Sequence, residues 1–418
     1  MGNRASVPSN FNLFSAVVQE PNRLILIHAN RKATKLVRDG ILWFWNEGIE
    51  KEDDIGCGYC FWLKGQPFSD EGTRNESVVL KSLFCSVLSS LHFEAHWRLF
   101  LSSDLSLRGE HSTWFFRKCC HNSEDPMNML ICLSMYGWNQ LQLINAPNEL
   151  REVLKETIGS HKEEKLGSEF ELKLPGQPWR AEAFEASNTI THLFLKIVRA
   201  FAANGFSWYG TANFRGQADC IFFEKKEEEK KEPTAQKEDL AIVTINGTNY
   251  VRFFGIESEV IAGLAEVMKS YWKPGVVLGR LDRERQCEEL RFEGEPWTSS
   301  NTAISFQANR TVAVLLEHLL SIGWSVVDSV HLCCNADSKS VFLLQQCTPR
   351  VAAHLALVPN PSGALALLNA PEQLHKCVLK ASQDCFPKDN VVGSKSTCVL
   401  MDCFLDNTER SISLCSVC

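Results

Sequence analysis

Apolar and polar positions along this chain follow two different periods, and the switch from one to the other recurs. In EFELKLPGQPW, Phe170, Leu172 and Leu174 alternate with polar residues, a period of two that places them on one face of a strand. Further on, Ile190, Leu193, Phe194, Ile197, Val198 and Phe201 stand three and four residues apart, which makes one apolar helix face. Gly205 closes that helix with a residue suited to a left-handed end. Runs rich in β-branched and aromatic residues follow (SWYGTANF, DCIFFEK, AIVTIN, YVRFFGI), and these favour strands. A second amphipathic helix carrying Val260, Ile261, Leu264 and Val267 ends the unit.

This succession is written three times. Its marker is a Gly-x-Pro-aromatic word: Gly65, Pro67 and Phe68; Gly176, Pro178 and Trp179; Gly294, Pro296 and Trp297. The same number of residues separates Gly176 from Gly205 and Gly294 from Gly323, so a second landmark keeps step with the first. Proline fixes its own φ and pushes its predecessor towards extended geometry, while the aromatic offers area to lock the turn onto a helix. The word therefore reads as an architectural corner. A ligand slot with the aromatic as stacking platform is the alternative, and no polar residue is seen to accompany the word in every copy.

The pattern predicts an α+β protein of three tandem modules, each β-α-β-β-β-β-α with a mainly antiparallel sheet and two helices, because no repeated βαβ alternation occurs. The modules are placed at residues 58–160, 168–273 and 288–381. A partial copy at 11–57 precedes them, since NRLILIHANRKATKLVRDGI from Asn22 matches NQLQLINAPNELREVLKETI from Asn139. Residues 1–10 are a terminus and 382–418 a cysteine-containing tail. The charged stretches SHKEEKLGS (160–168) and LGRLDRERQCEE (ending at Glu289) read as linkers, and KKEEEKKEPTAQKED (225–239) as a solvated loop.

Composition narrows the function classes. At 418 residues the chain exceeds one ordinary core. A net charge of -7 without a basic stripe opposes nucleic-acid binding. The 17 cysteines suggest a disulfide framework only in a secretory context, which MGNRASVPSNFN does not supply. Cys85, Cys220 and Cys333 fall in apolar patterns, where a reduced thiol acts as a small hydrophobe. A reducing, cytoplasmic setting is expected, and the sequons at Asn75, Asn246 and Asn309 then carry no meaning.

The sharpest chemical signal is MGNRAS, which fits N-myristoylation on Gly2 with Ser6 at the favoured hydroxyl position. One such chain gives only reversible membrane attachment. CSVC at the other end has a weak prenylation outline on Cys415, and Cys398, Cys403, Cys415 and Cys418 are candidates for palmitoylation. No metal site is expected: the CxxC pairs at Cys57/Cys60 and Cys415/Cys418 lie at opposite ends, and Cys119 and Cys120, followed by His121, end a strand on which neighbours point apart. Hydrolase elbows, zinc-protease helices, phosphate loops and dinucleotide loops are absent, and His192, His318 and His375 sit in helical patterns. These features lead to the expectation of a non-enzymatic adaptor without cofactors, binding protein partners and held to the cytosolic face of a membrane by its acyl chain. The alternative is a binder of lipid or small apolar ligands in pockets within the modules.

Overall fold

The computed structural model describes residues 12–56, 58–69, 73–104, 111–119, 129–159, 162–166, 169–180, 184–214, 220–226, 239–282, 287–332, 341–359 and 365–385. Three six-stranded antiparallel sheets organise the chain, joined by one two-stranded ribbon. The first module comprises β1 (Leu13–Gln19), β2 (Arg23–Ile27), α1 (Arg31–Phe44), β3 (Ile49–Asp54), β4 (Gly58–Leu63), α2 (Arg74–Ser89), β5 (Trp97–Asp104) and β6 (His111–Lys118). Its sheet runs β3-β4-β2-β1-β6-β5.

The second module repeats this as β7 (Ile131–Tyr136), β8 (Gln140–Ile144), α3 (Asn148–Ile158), β9 (Lys162–Leu166), β10 (Glu169–Lys173), α4 (Phe184–Ala203), β11 (Phe206–Ala212) and β12 (Cys220–Lys225). The third has β13 (Leu240–Asn246), β14 (Tyr250–Phe254), α5 (Ser258–Tyr271), β15 (Val276–Asp282), β16 (Cys287–Phe292), α6 (Thr302–Ser321), β17 (Trp324–Val330) and β18 (Val341–Gln346). Their strand orders, β9-β10-β8-β7-β12-β11 and β15-β16-β14-β13-β18-β17, are the same arrangement.

The hydrogen-bonded unit is thus β-β-α-β-β-α-β-β, and it starts half a unit before the Gly-x-Pro-aromatic word. A frame of 58–160 would join strands of two different sheets, because β4 belongs to the first and β7–β8 to the second. The repeat itself was legible; its phase was not, since a periodic sequence looks alike from any starting point. The segment at 11–57 is therefore the first half of module 1 and not a separate partial copy. The incomplete copy lies at the other end, as β19 (Ala356–Pro359), β20 (Leu365–Leu368) and α7 (Glu372–Cys385). At the end of the second strand in all four copies one residue takes a left-handed conformation: His28 (φ 60°), Asn145 (59°), Gly255 (78°) and Asn369 (57°).

Both expected linkers are also corrected. SHKEEKLGS contains β9, and LGRLDRERQCEE spans β15 and the start of β16. β9 and β15 are sheet edges, as is IEKEDD of β3. Charged side chains suit an edge, where they keep unpaired backbone from recruiting another strand. That makes an edge strand resemble a linker in sequence.

Two compact units emerge, one holding modules 1 and 2 (Met1–Lys237 with Val330–Ala336), the other module 3 and the terminal half copy (Glu238–Ser329 with Asp337–Cys418). Within the first, α1 buries one face (Ala33, Val37, Gly40, Ile41). Its neighbour α2 is buried nearly all round, which marks a helix with packing on both sides. Leu80, Phe84 and Leu88 share a core with Phe14, Leu26 and Phe61 of the first sheet, and the same cluster takes in Cys132, Ile144 and Phe222 of the second sheet. The far face of that second sheet packs on its own helices, with Phe201 of α4 edge-on to Phe223 at 5.0 Å.

The second unit repeats the layering. Phe306 of α6 packs on Ala356, Ala366 and Leu368 of the β19–β20 ribbon. On its other side Leu355, Leu367 and Ala370 meet Leu374 and Val378 of α7. The half copy thereby covers the last helix layer, as a terminal cap does in repeat proteins.

Candidate functional site

The three corner words occupy equivalent places. Gly65, Gly176 and Gly294 have φ of 74°, 73° and 84°, a left-handed conformation that favours glycine. Pro67 and Phe68 are buried, Trp179 is buried, and Trp297 packs half-buried on the third core. The aromatic backbone N–H donates to the preceding hairpin turn in every copy: Phe68 to the Pro21 carbonyl (3.0 Å), Trp179 to Trp138 (3.2 Å) and Trp297 to Thr248 (3.1 Å).

An asparagine completes each corner. The Asn22 amide donates to the Leu63 carbonyl at 2.8 Å, Asn139 to Leu174 at 2.7 Å and Asn249 to Phe292 at 2.9 Å. The backbone bond returns, from the N–H of Leu63, Leu174 and Phe292 to the asparagine carbonyls. A recurring polar residue therefore does exist, contrary to the reading from sequence. Its signal was the NRL, NQL and NYV openings of the second strand, which lie far enough from the corner in sequence to hide the partnership. The asparagine spends its amide on backbone, so the corner is a latch between hairpin and strand.

A second constellation lies where α2 meets the second sheet. Arg74 and Lys81 of α2 reach Glu171 and Gln142: the Arg74 guanidinium pairs with the Glu171 carboxylate, Lys81 donates to the Gln142 carbonyl oxygen, and the Gln142 amide donates to Glu171 at 2.9 Å. Lys81, Gln142 and Glu171 are all at most 3% exposed. Such a network is tolerable only because its charges pair with one another. Cys132 and Cys220 lie on the same face, and burial pushes both thiols well above their ordinary range. They remain protonated and act as small hydrophobes beside the buried Cys85, as the sequence suggested for Cys85 and Cys220; Cys333 lies outside the described residues.

Register identifies the matching positions elsewhere. Gln142 pairs with Glu171, Ile25 with Cys60, and Arg252 with Glu289. In module 3 the pair is again charged and buried, with Arg252 Nε 2.9 Å from Glu289. In module 1 it is Ile25 and Cys60, on a sheet face that also carries the half-buried Val17, Ile27, Trp62 and Phe115 and the exposed Leu13.

Gly2 and Cys415 both lie outside the described residues, as do Cys57, Cys120, His121 and most of 225–239. Among the described residues no group of His, Cys, Asp and Glu could hold a metal ion, and no helix is long and apolar enough to cross a membrane.

These features define a tandem array of antiparallel α+β modules in which a helix layer can serve two sheets. One domain-family model matches the chain three times, over residues 13–117, 129–229 and 239–345, and the chain belongs to that family of repeated domains. The three matches begin and end with the three sheets. No curated protein and no solved structure matches the chain.

Proposed function

We propose that the protein is a non-enzymatic adaptor that docks a protein partner on the outer face of its first sheet and is attached reversibly to the cytosolic face of a membrane through myristate on Gly2. One observation carries the docking half. The face of the second sheet that α2 covers buries a polar network, whereas the corresponding face of the first sheet presents Leu13, Val17, Ile25, Ile27, Trp62 and Phe115, half-buried or exposed, with Arg23, Lys51, Asp53 and Arg117 around them. An apolar cluster rimmed by charge, on a face that no helix covers among the described residues, fits a surface that receives a partner. The covered copy suggests the partner's form, an amphipathic helix laid across the strands as α2 lies on β7 and β8.

The membrane half rests on MGNRAS alone. Quantitative affinity purification comparing wild type, Ile25→Lys and Gly2→Ala separates the two halves. Ile25→Lys is expected to lose protein partners while keeping incorporation of an alkyne myristate analogue, and Gly2→Ala to lose the label. Unchanged partners in Ile25→Lys would remove the docking face, and equal labelling in Gly2→Ala would remove the anchor. A lipid mass retained in native mass spectrometry would favour ligand binding within the modules.

A further inference from the structure

Module 1 departs from its sisters at one junction, where the second helix turns into the fifth strand. In modules 2 and 3 the junction residue is Gly205 (φ 82°) or Gly323 (φ 96°). In module 1 it is His96, held at φ 58°, a left-handed conformation uncommon for residues other than glycine. Module 1 also has a longer helix-to-strand segment, and a π turn over Ser90–Glu94 absorbs the extra length. π turns are frequent at functional sites, and this left-handed residue, unlike His28, Asn145 and Asn369, has no equivalent non-glycine residue in the sister modules.

The π turn carries His92 into the protein, where it is 2% exposed. Where Phe201 and Leu319 fill the apolar core four residues before the other two junctions, His92 meets three polar groups. Its Nδ1 is 3.8 Å from the Cys119 Sγ, its Nε2 is 3.4 Å from the Glu224 carboxylate, and its ring stands edge-on to Tyr209 at 5.2 Å. Glu224 is held in turn by Arg98 through contacts of 2.9 and 3.1 Å, and Arg98 lies over the Tyr209 ring. Burial opposes the charge on Glu224, but His92 and Arg98 outweigh it and hold the carboxyl below its ordinary range. Lys118 adds a positive charge beside Cys119 in sequence, with its ammonium over the Trp97 ring.

Thiol, imidazole and carboxylate thus stand in line: a nucleophile, its base, and a group that orients the base. Cys119 follows β6 directly and is half-buried, whereas His92 is buried. The Cys119 backbone N–H is already donated to the His96 carbonyl, and so is not free to stabilise an acyl oxyanion. That argues against acyl transfer and for direct attack by sulfur on a small electrophile.

We infer that Cys119 is a site of covalent modification by small hydroperoxides, its thiolate stabilised by His92 and His92 held by Glu224. In the step, the Cys119 sulfur attacks one peroxide oxygen, an S–O bond forms and the O–O bond breaks. Sulfur is oxidised by two electrons, the departing oxygen takes the His92 proton and leaves as water or an alcohol, and Cys119 is left as a sulfenic acid.

The protein supplies its own control. Cys347 occupies the same place in module 3, its N–H donating to Gly323 as that of Cys119 donates to His96, and it is also half-buried. Its counterpart of His92 is Leu319. Full-length protein is exposed to hydrogen peroxide with dimedone present at pH 7, and adducts are quantified at each cysteine by mass spectrometry. Cys119 should be labelled ~10-fold or more faster than Cys347, because only Cys119 has an imidazole beside its sulfur. In His92→Gln the two rates should converge, with Glu224→Gln between. Equal labelling in the wild type would overturn the inference whether or not either variant folds. A preference that survives in folded His92→Gln would overturn the role of His92.

Discussion

The same patch of sheet has two fates in this molecule. In module 2, Ser134, Gln142, Ile144 and Glu171 lie under α2; Lys81 meets Gln142, Arg74 meets Glu171, and the Ser134 hydroxyl donates to the Met135 carbonyl. The corresponding residues of module 1 are Val17, Ile25, Ile27 and Cys60, and there the strands alternate buried with half-buried positions. Burial does not by itself decide composition. The covered face can carry buried charge because its partner is built into the chain, whereas the charges on the open face, Arg23, Lys51, Asp53 and Arg117, stand at half-buried or exposed positions.

The largest expected effect is at the covered network. Glu171→Ala leaves two cations facing a buried site, and should cost about 3–5 kcal/mol in urea denaturation, as loss of one partner of a buried pair does. Cys60→Ala, at the matching position of the open face, should cost about 1 kcal/mol. Similar losses at both would erase the contrast.

Next come the latches, which do not distinguish the faces and so should behave alike. Asn22→Ala, Asn139→Ala and Asn249→Ala each orphan a backbone carbonyl, for an expected ~1–3 kcal/mol apiece in the same assay. A latch whose removal cost nothing would show that its corner is held by the aromatic alone.

Glu224→Gln should cost about 1.5–3 kcal/mol at pH 7, the worth of a hydrogen bond to a charged group. Because the folded carboxyl titrates below its ordinary value, its contribution is present above that value and is lost as the pH falls through the folded one. The stability gap between wild type and Glu224→Gln should therefore close as the pH drops below ~4, measured by denaturant melts at stepped pH. The smallest effect is Ile25→Lys, within about 0.5 kcal/mol of wild type in stability, although it should abolish partner binding.

Much of this fold could be read from residues. The period-two run to Leu174, the helix stripe from Ile190 to Phe201 and the glycine end at Gly205 all became the elements that their spacing implied. The charged edges β9 and β15 look like linkers in sequence, because lysine and glutamate serve both purposes. Phase escaped because the corner word is conspicuous but internal, while each sheet opens on an ordinary apolar strand. The polar clusters were hidden for another reason: Arg74 and Glu171, or His92 and Glu224, belong to different modules, and only stacking brings them together.

Two isoleucines at matching positions offer the most direct measurement. Ile27 pairs with Ser15 and is half-buried, while Ile144 pairs with Cys132 and is 0% exposed. In the full-length chain, Ile144→Lys should lose more than about 3 kcal/mol by forcing an ammonium under α2, and Ile27→Lys should stay within about 1 kcal/mol of wild type. Equal losses at the two positions would contradict an open face on the first sheet.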